Sequence, residues 1–326
     1  QTAHRGVLGV FGSERHDGGA RLAPAAAVEQ RLRTAQAQVE RIRRSRQIDG
    51  IVLATSTDSA DDPLAQLAGA LGIPVVQHSP GVGRNLQDHL IAKCIYRTKP
   101  CGTLNEIMRS PLRQAKMGLD YLLSRTGPLA IGAGEANAFA RVTPGAEEAE
   151  IQFLFVNFST YSYEAGLHDF PGVMVNYGVC RPDSRGEVFL KTPDAADKPG
   201  IRANYLDHPN DVRVMLGAAH LARKVAAQAP FAALVEEELR PGPAVTSDEA
   251  LLENIRATAG TVFHPCGTAR MGSDPTAVLD PELRLRGIAG LRVADASAFP
   301  LIPSPNIQPA VMLVAERAAA FIKAAA

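Results

Sequence analysis

The stretch Ile151-Gln152-Phe153-Leu154-Phe155-Val156 decides the fold class. Both of its faces are apolar apart from Gln152, so it reads as a strand buried on both sides. Residues 173–180 read as a second strand, and Glu187-Val188-Phe189-Leu190-Lys191, entered through the turn dipeptide Arg185-Gly186, as a third. Three strands in about forty residues, joined by short links, imply an antiparallel sheet rather than a series of strand–helix crossovers. Residues 94–100 are expected to add a further strand, with helices packed on one face of the sheet.

Helical patterning flanks this core. A helix over 105–125 is punctuated by Pro111 and closed by Gly127-Pro128. Asn210 is expected to cap a helix over 211–227, where Val212, Met215, Leu216 and Ala219 share a face. Residues 246–258 read as another helix, and 309–325 as an Ala-rich one with Val311, Leu313, Val314, Ala318 and Phe321 turned inward. Near the start, Val28, Leu32, Val39 and Ile42 mark a helix over 24–48. Its other face carries Arg31, Arg33, Arg41, Arg43, Arg44 and Arg46. Such a run suits an anionic partner, but it is more often a solvated face. A short helix over 62–71 follows, and short strands at 51–54 and 291–294 are expected to lie side by side.

Composition bounds the function. At 326 residues the chain is long enough for about two domains. Lys plus Arg and Asp plus Glu both number 34, which argues against nucleic-acid binding by bulk charge. No apolar run reaches the ~18 residues of a membrane-spanning helix. Cys94, Cys101, Cys180 and Cys266 show neither CxxC nor zinc-ligand spacing, so neither a disulfide framework nor a metal site is expected. No signal peptide follows Gln1, and a cytoplasmic location is the default expectation. There is no P-loop, GxSxG or HExxH. Gly6-x-x-Gly9-x-x-Gly12 has the wrong spacing for a dinucleotide turn, and Gly132-x-Gly134 lacks a third glycine.

Three dense segments remain. The first is Gly81-Val82-Gly83-Arg84-Asn85-Leu86-Gln87-Asp88-His89. The second is His264-Pro265-Cys266-Gly267-Thr268-Ala269-Arg270-Met271-Gly272. The third runs from Leu291-Arg292-Val293-Ala294-Asp295-Ala296-Ser297 to Ile302-Pro303-Ser304-Pro305-Asn306-Ile307-Gln308-Pro309. Taken singly, each has an ordinary reading: a glycine turn, a structural loop histidine, a rigid entry to a helix. Together and in this order they resemble the glucose–methanol–choline (GMC) family of flavin-dependent alcohol oxidoreductases. Cys180-Arg181-Pro182-x-Ser184-Arg185-Gly186, Asn204-Tyr205-Leu206, Thr103-Leu104-Asn105 and Gly127-Pro128-Leu129 fit the same pattern. The similarity spans about residues 72–326.

The resemblance implies an α/β (α+β) chain: a substrate domain with a mostly antiparallel sheet and flanking helices, plus an incomplete FAD-binding domain. The divisions it suggests are 1–71 for an atypical lead-in with a remnant of that domain and 72–93 for a flavin-facing linker. Residues 94–258 would form the substrate domain and 259–326 the catalytic, flavin-facing end. It further implies oxidation of a small-molecule alcohol to an aldehyde or ketone, with FAD as cofactor and oxygen or a quinone as the final electron acceptor. His264 matches the catalytic histidine. Asn306 is the chosen second catalytic residue and Gln308 its rival, while His89 is expected in the same flavin-facing region but not as the base. Gly83, Asn85, Asp295, Ala296 and Gln308 are implied contacts to the cofactor. Specificity is expected from the sheet face around 151–160 and 173–180, where Phe153, Phe155, Phe158, Tyr161 and Tyr163 cluster; ordinary sheet packing accounts for such a cluster more often. The family's Gly-rich first motif has no counterpart, so the chain is expected to correspond to the C-terminal part of such an enzyme and to bind FAD weakly by itself. The alternative is a non-catalytic binding module or inactive fragment that keeps the substrate-domain scaffold, and a flavin absorbance band separates the two.

Overall fold

The computed structural model describes residues 77–325 apart from Ala133, Tyr163, Pro193, Ala195 and Ala196. The expected helices over 24–48 and 62–71 and the strand at 51–54 lie outside the described residues. The centre of the fold is an antiparallel sheet. Its strands are β1 (Leu90–Thr98), β2 (Gly134–Ala140), β3 (Ile151–Val156), β4 (Gly172–Val179) and β7 (Val235–Arg240), in the order β2-β3-β4-β1-β7. The two-residue strand β8 (Gly260–Thr261) pairs with the start of β1, Leu90 opposite Thr261.

The sheet has two different faces, because successive side chains alternate. On one face Ala92, Cys94, Tyr96, Ile151, Phe153, Val175, Tyr177 and Val179 join the main core. Helix α3 (Pro209–Ala226) covers them with Val214, Met215, Ala218, Ala219 and Ala222, and α5 (Asp248–Thr258) adds Leu251 and Ile255. The alanines let α3 lie close to the sheet. Each large side chain fully buried here contributes ~1.5–3 kcal/mol of transfer free energy. On the opposite face, Ile91 and Gln152 both stand opposite Gly178 in register.

Helix entries follow side-chain chemistry. The expected helix over 105–125 is two helices, α1 (Leu104–Met108) and α2 (Pro111–Ser124). Pro111 is the first residue of α2, where its missing N–H costs nothing, and the Ser110 hydroxyl accepts from the Arg113 N–H. Thr103 and Glu106 form a reciprocal cap on α1. The cap of α3 is His208, not Asn210: its Nδ1 accepts from the Asn210 N–H. The single turn α4 (Ala229–Ala232) follows α3, and the chain closes with α6 (Gln308–Ala324).

Two expectations about strands need correction, and two strands are new. Residues 187–191 do not join the main sheet: β5 (Glu187–Phe189) pairs with β6 (Gly200–Arg202) in a separate two-stranded sheet. The segment around Gly83 holds it there, since Val188 N–H donates to the Gly83 carbonyl at 2.7 Å and Leu86 and Gly186 exchange backbone bonds. Residues 291–294 form no strand; only an isolated bridge joins Arg292 to Arg284. Strands β2 and β7 are additions, with sequences GEANAFA and VEEELR that carry weak strand propensity. They form at the two edges because β3 and β1 offer them free backbone partners. The C-terminal region packs as a second core of Cys266, Val278, Leu279, Leu283, Leu285, Phe299, Ile302, Ile307 and Val314, built almost wholly from loops and α6.

Candidate active site

The segment 81–89 is the frame of the site, and most of its polar atoms are spent on protein. Gln87 exchanges backbone hydrogen bonds with Cys266. Its side chain donates from Nε2 to the Pro182 carbonyl at 2.8 Å and accepts at Oε1 from the Ile302 N–H at 3.0 Å. One buried residue thereby joins the 180s, 260s and 300s of the chain. Gly83 has φ +76°, and a Cβ there would sit 2.1 Å from the Val188 carbonyl oxygen, so only glycine lets the segment lie against β5. Asn85 Nδ2 donates to the Pro300 carbonyl at 3.3 Å, and its Oδ1 accepts from Arg185 Nε at 3.1 Å. Both residues suggested as cofactor contacts therefore also tie protein segments together.

Asp88 places the histidine. Its Oδ1 accepts the backbone N–H of His264 at 2.9 Å. Its Oδ2 accepts from the Thr261 hydroxyl at 2.5 Å and from the Tyr205 hydroxyl. Burial and this carboxylate together keep the Tyr205 phenol protonated. The loop carrying His264 is closed by backbone bonds to the next dense segment: Gly267 N–H to Ala296 O, Ala269 N–H to Ser297 O and Met271 N–H to Ala298 O, at 2.8–3.2 Å. Asp295 caps that turn, with Oδ1 accepting from the Ser297 N–H and hydroxyl.

His264 and Asn306 line one cavity of about 160 Å³. They are 42 positions apart in sequence, and the segment 81–89 brings them together. Gln308 does not line it; that side chain is exposed in the first turn of α6. The floor is the second face of the sheet, with Ile91, Gln152, Leu154 and Gly178, and the walls include Leu90, Val179 and Val262. The clustered aromatics are elsewhere. Phe153 belongs to the main core and Phe155 packs against it, because odd-numbered positions of β3 face α3. Phe158 packs beside Ile95, Val156 and Met174, and Tyr161 is about half exposed. Tyr163 lies outside the described residues.

The rings of His89 and His264 meet edge to face, Nδ1 to Nδ1, at 3.0 Å, and Nε2 of His89 lies 2.9 Å from the Cys180 carbonyl oxygen. Burial lowers the pKa of both imidazoles. The Asp88 charge opposes this weakly at His264; at His89 the bond to Cys180 opposes it and His264 adds to it. Both rings are thus neutral at pH 7, the state a general base requires. Elsewhere, Asp183, His208 and Asp211 approach one another, but the Asp211 carboxylate is occupied by the N–H groups of Asp183 and Ser184 at 2.8 Å. That cluster is the entry to α3.

Sequence reading missed the scaffold roles of Gln87 and Asp88 and the contact between His89 and His264, which no spacing encodes. The cavity floor falls within the sheet-face stretches 151–160 and 173–180 expected to set specificity, but it is formed by Gln152, Leu154 and Gly178 and not by the clustered aromatics.

The family model of GMC oxidoreductases matches residues 182–315. Over 258 residues the chain is 38% identical to human mitochondrial choline dehydrogenase, covering 78% of this chain and 43% of that protein. It is 35% identical to an alcohol dehydrogenase [acceptor] of Pseudomonas putida over 257 residues, covering 77% of this chain and 46% of the relative. The chain thus spans less than half the length of these relatives. Among solved structures, a formate oxidase of Aspergillus oryzae, studied for modification of its FAD, superposes with a TM-score of 0.73 at 27% identity, over 80% of this chain and 50% of that one.

Proposed function

From its similarity to the C-terminal part of GMC oxidoreductases, we propose that this chain supplies the alcohol pocket and the proton acceptor of an FAD-dependent alcohol oxidation. The observation that carries this reading is the convergence of His264 and Asn306 on one cavity whose wall is mostly apolar and carries no charged side chain among the described residues. Oxidising an alcohol requires removal of the hydroxyl proton and of a hydride from carbon. FAD, when bound, supplies the hydride acceptor that no side chain can provide.

The residues present fit that cofactor. Both hydrogen bonds of the Asp295 carboxylate within the described residues use Oδ1, so Oδ2 is available to the hydroxyls of a ribityl chain. Phe263 and Leu301, next to the His264 loop and in the closing loop, are 82% and 62% exposed and offer apolar surface to a flat ring system. Asp295, the Ala296 backbone and the exposed Gln308 side chain would contact the cofactor, with Gly83 and Asn85 supporting them through the loops they join.

The chain's own residues do the rest. His264 accepts the hydroxyl proton at its cavity-facing nitrogen. The Asn306 amide orients the hydroxyl oxygen, its backbone held at φ 71° between Pro305 and Ile307. The aliphatic walls exclude water and place the carbon chain of the alcohol. In the FAD-loaded protein, His264→Ala should slow alcohol-dependent flavin reduction by roughly 10²-fold or more while FAD is retained. Anaerobic bleaching of the flavin absorbance with primary alcohols measures this, and an unchanged rate would remove His264 from the role.

A further inference from the structure

The two histidines form a directed pair, and its direction follows from a backbone carbonyl. The Cys180 carbonyl can only accept, so Nε2 of His89 carries a proton in the 2.9 Å contact. That carbonyl cannot turn away: Cys180 is fully buried, and its own N–H is bonded to the Glu150 carbonyl at 2.8 Å. His89 is itself 4% exposed, and burial keeps it neutral. A neutral imidazole protonated at Nε2 has a bare Nδ1. At 3.0 Å from that Nδ1, His264 Nδ1 must therefore donate. The reverse arrangement would set the lone pair of His89 Nε2 against the carbonyl oxygen. Asp88, the adjacent carboxylate, holds the His264 backbone and two hydroxyls, whereas the hydrogen bond of the His264 ring goes to His89.

We propose that His89 is a positioning residue that fixes the proton of His264 on Nδ1, so that Nε2 of His264 is the unprotonated nitrogen presented to the cavity. This rests on the reading of His264 as proton acceptor. The constraint matters because free imidazole side chains favour the proton on Nε2, the tautomer in which that nitrogen could not serve as a base. His89 thus reverses the intrinsic preference, as a carboxylate or carbonyl does for other catalytic histidines.

The test is a long-range proton–nitrogen correlation spectrum of the full chain with 15N-labelled histidine, His264 being assigned by the signals lost in His264→Asn. The expected result is His264 protonated at Nδ1 and His89 protonated at Nε2. In His89→Phe, which keeps a ring but no acceptor, His264 should pass mainly to the Nε2–H form. In His89→Asn, whose Oδ1 stands close to the position of the imidazole Nδ1, the Nδ1–H form should return. A native His264 protonated at Nε2 would overturn the proposal, as would a folded His89→Phe protein with the native tautomer. The native spectrum alone decides the direction of the bond, so the test holds even if one variant does not fold. If the tautomers behave as stated but His264→Ala leaves flavin reduction unchanged, the functional reading fails and the positioning contact stands.

Discussion

Asp88 accepts three hydrogen bonds while only 8% exposed, and one of them holds the backbone of His264. Replacing it with alanine leaves two hydroxyls and an N–H without their partner. An unmet buried donor costs ~1–3 kcal/mol, and the hydroxyls can find other acceptors more easily than the amide, so Asp88→Ala should lose about 2–4 kcal/mol. Asp88→Asn keeps one acceptor oxygen and turns the other position into a donor to the same hydroxyl oxygens, so it should keep most of that stability. Urea unfolding midpoints of the two variants test this, and equal stability of Asp88→Ala and the native chain would refute it. At this scale the three dense segments named His264 and Asn306, which line one cavity. The division of labour within those segments was not legible, because a motif shows which residues recur together and not which atom each one bonds.

At the level of elements, Gly178 marks where the sheet and the cavity meet. A Cβ at Gly178 would lie 2.5 Å from the Leu90 carbonyl oxygen on the neighbouring strand, a backbone atom that cannot rotate aside. Gly178→Ala should push β4 from β1 and cost ~1–3 kcal/mol, as overpacking in a tight interior does. It should also raise KM for alcohols, since the floor of the cavity moves with the strands. Thermal unfolding and substrate titration of the variant check both, and an unchanged melting temperature would show that the strands yield freely. The same scale explains which elements could be read in advance. β3 and β4 are dense apolar runs and the later helices carry a clear helical period, and all were expected within a few residues. β2 and β7 are edge strands of small or acidic residues, whose only reason to be strands is the partner beside them. Pro111 was recognised as punctuation, but its position as the first residue of a new helix depends on the Ser110 cap.

For the molecule as a whole, the wall of the cavity constrains what enters it. Among the described residues, its polar side chains are His89, His264, Asn306 and Gln152, and no charged side chain lines it. Gln152 is held from the side, its Nε2 donating to Asn137 Oδ1 at 3.0 Å. A buried quaternary ammonium needs an opposite charge or an aromatic cage, and without either its desolvation is uncompensated. Neutral aliphatic alcohols should therefore reduce the flavin with kcat/KM at least about tenfold above that for choline, the ~1.4 kcal/mol that one modest charge penalty represents. Steady-state kinetics with straight-chain primary alcohols and choline decide the matter, and a preference for choline would mean that the cation is met by a group outside this wall.

The amino-acid sequence by itself determined the fold class, the buried strands and the residues to watch. Alternation and helical period are local properties, and the dense segments keep their residue types at fixed spacing. Only the tertiary structure decided which face of β3 became core and which became the cavity floor, since that depends on where α3 docks. It also decided that His264 meets His89 and shares a cavity with Asn306, through hydrogen bonds of Gln87 and Asp88 to segments more than ninety residues away. Contacts over such separations depend on the packing of the whole chain, and no local pattern carries them.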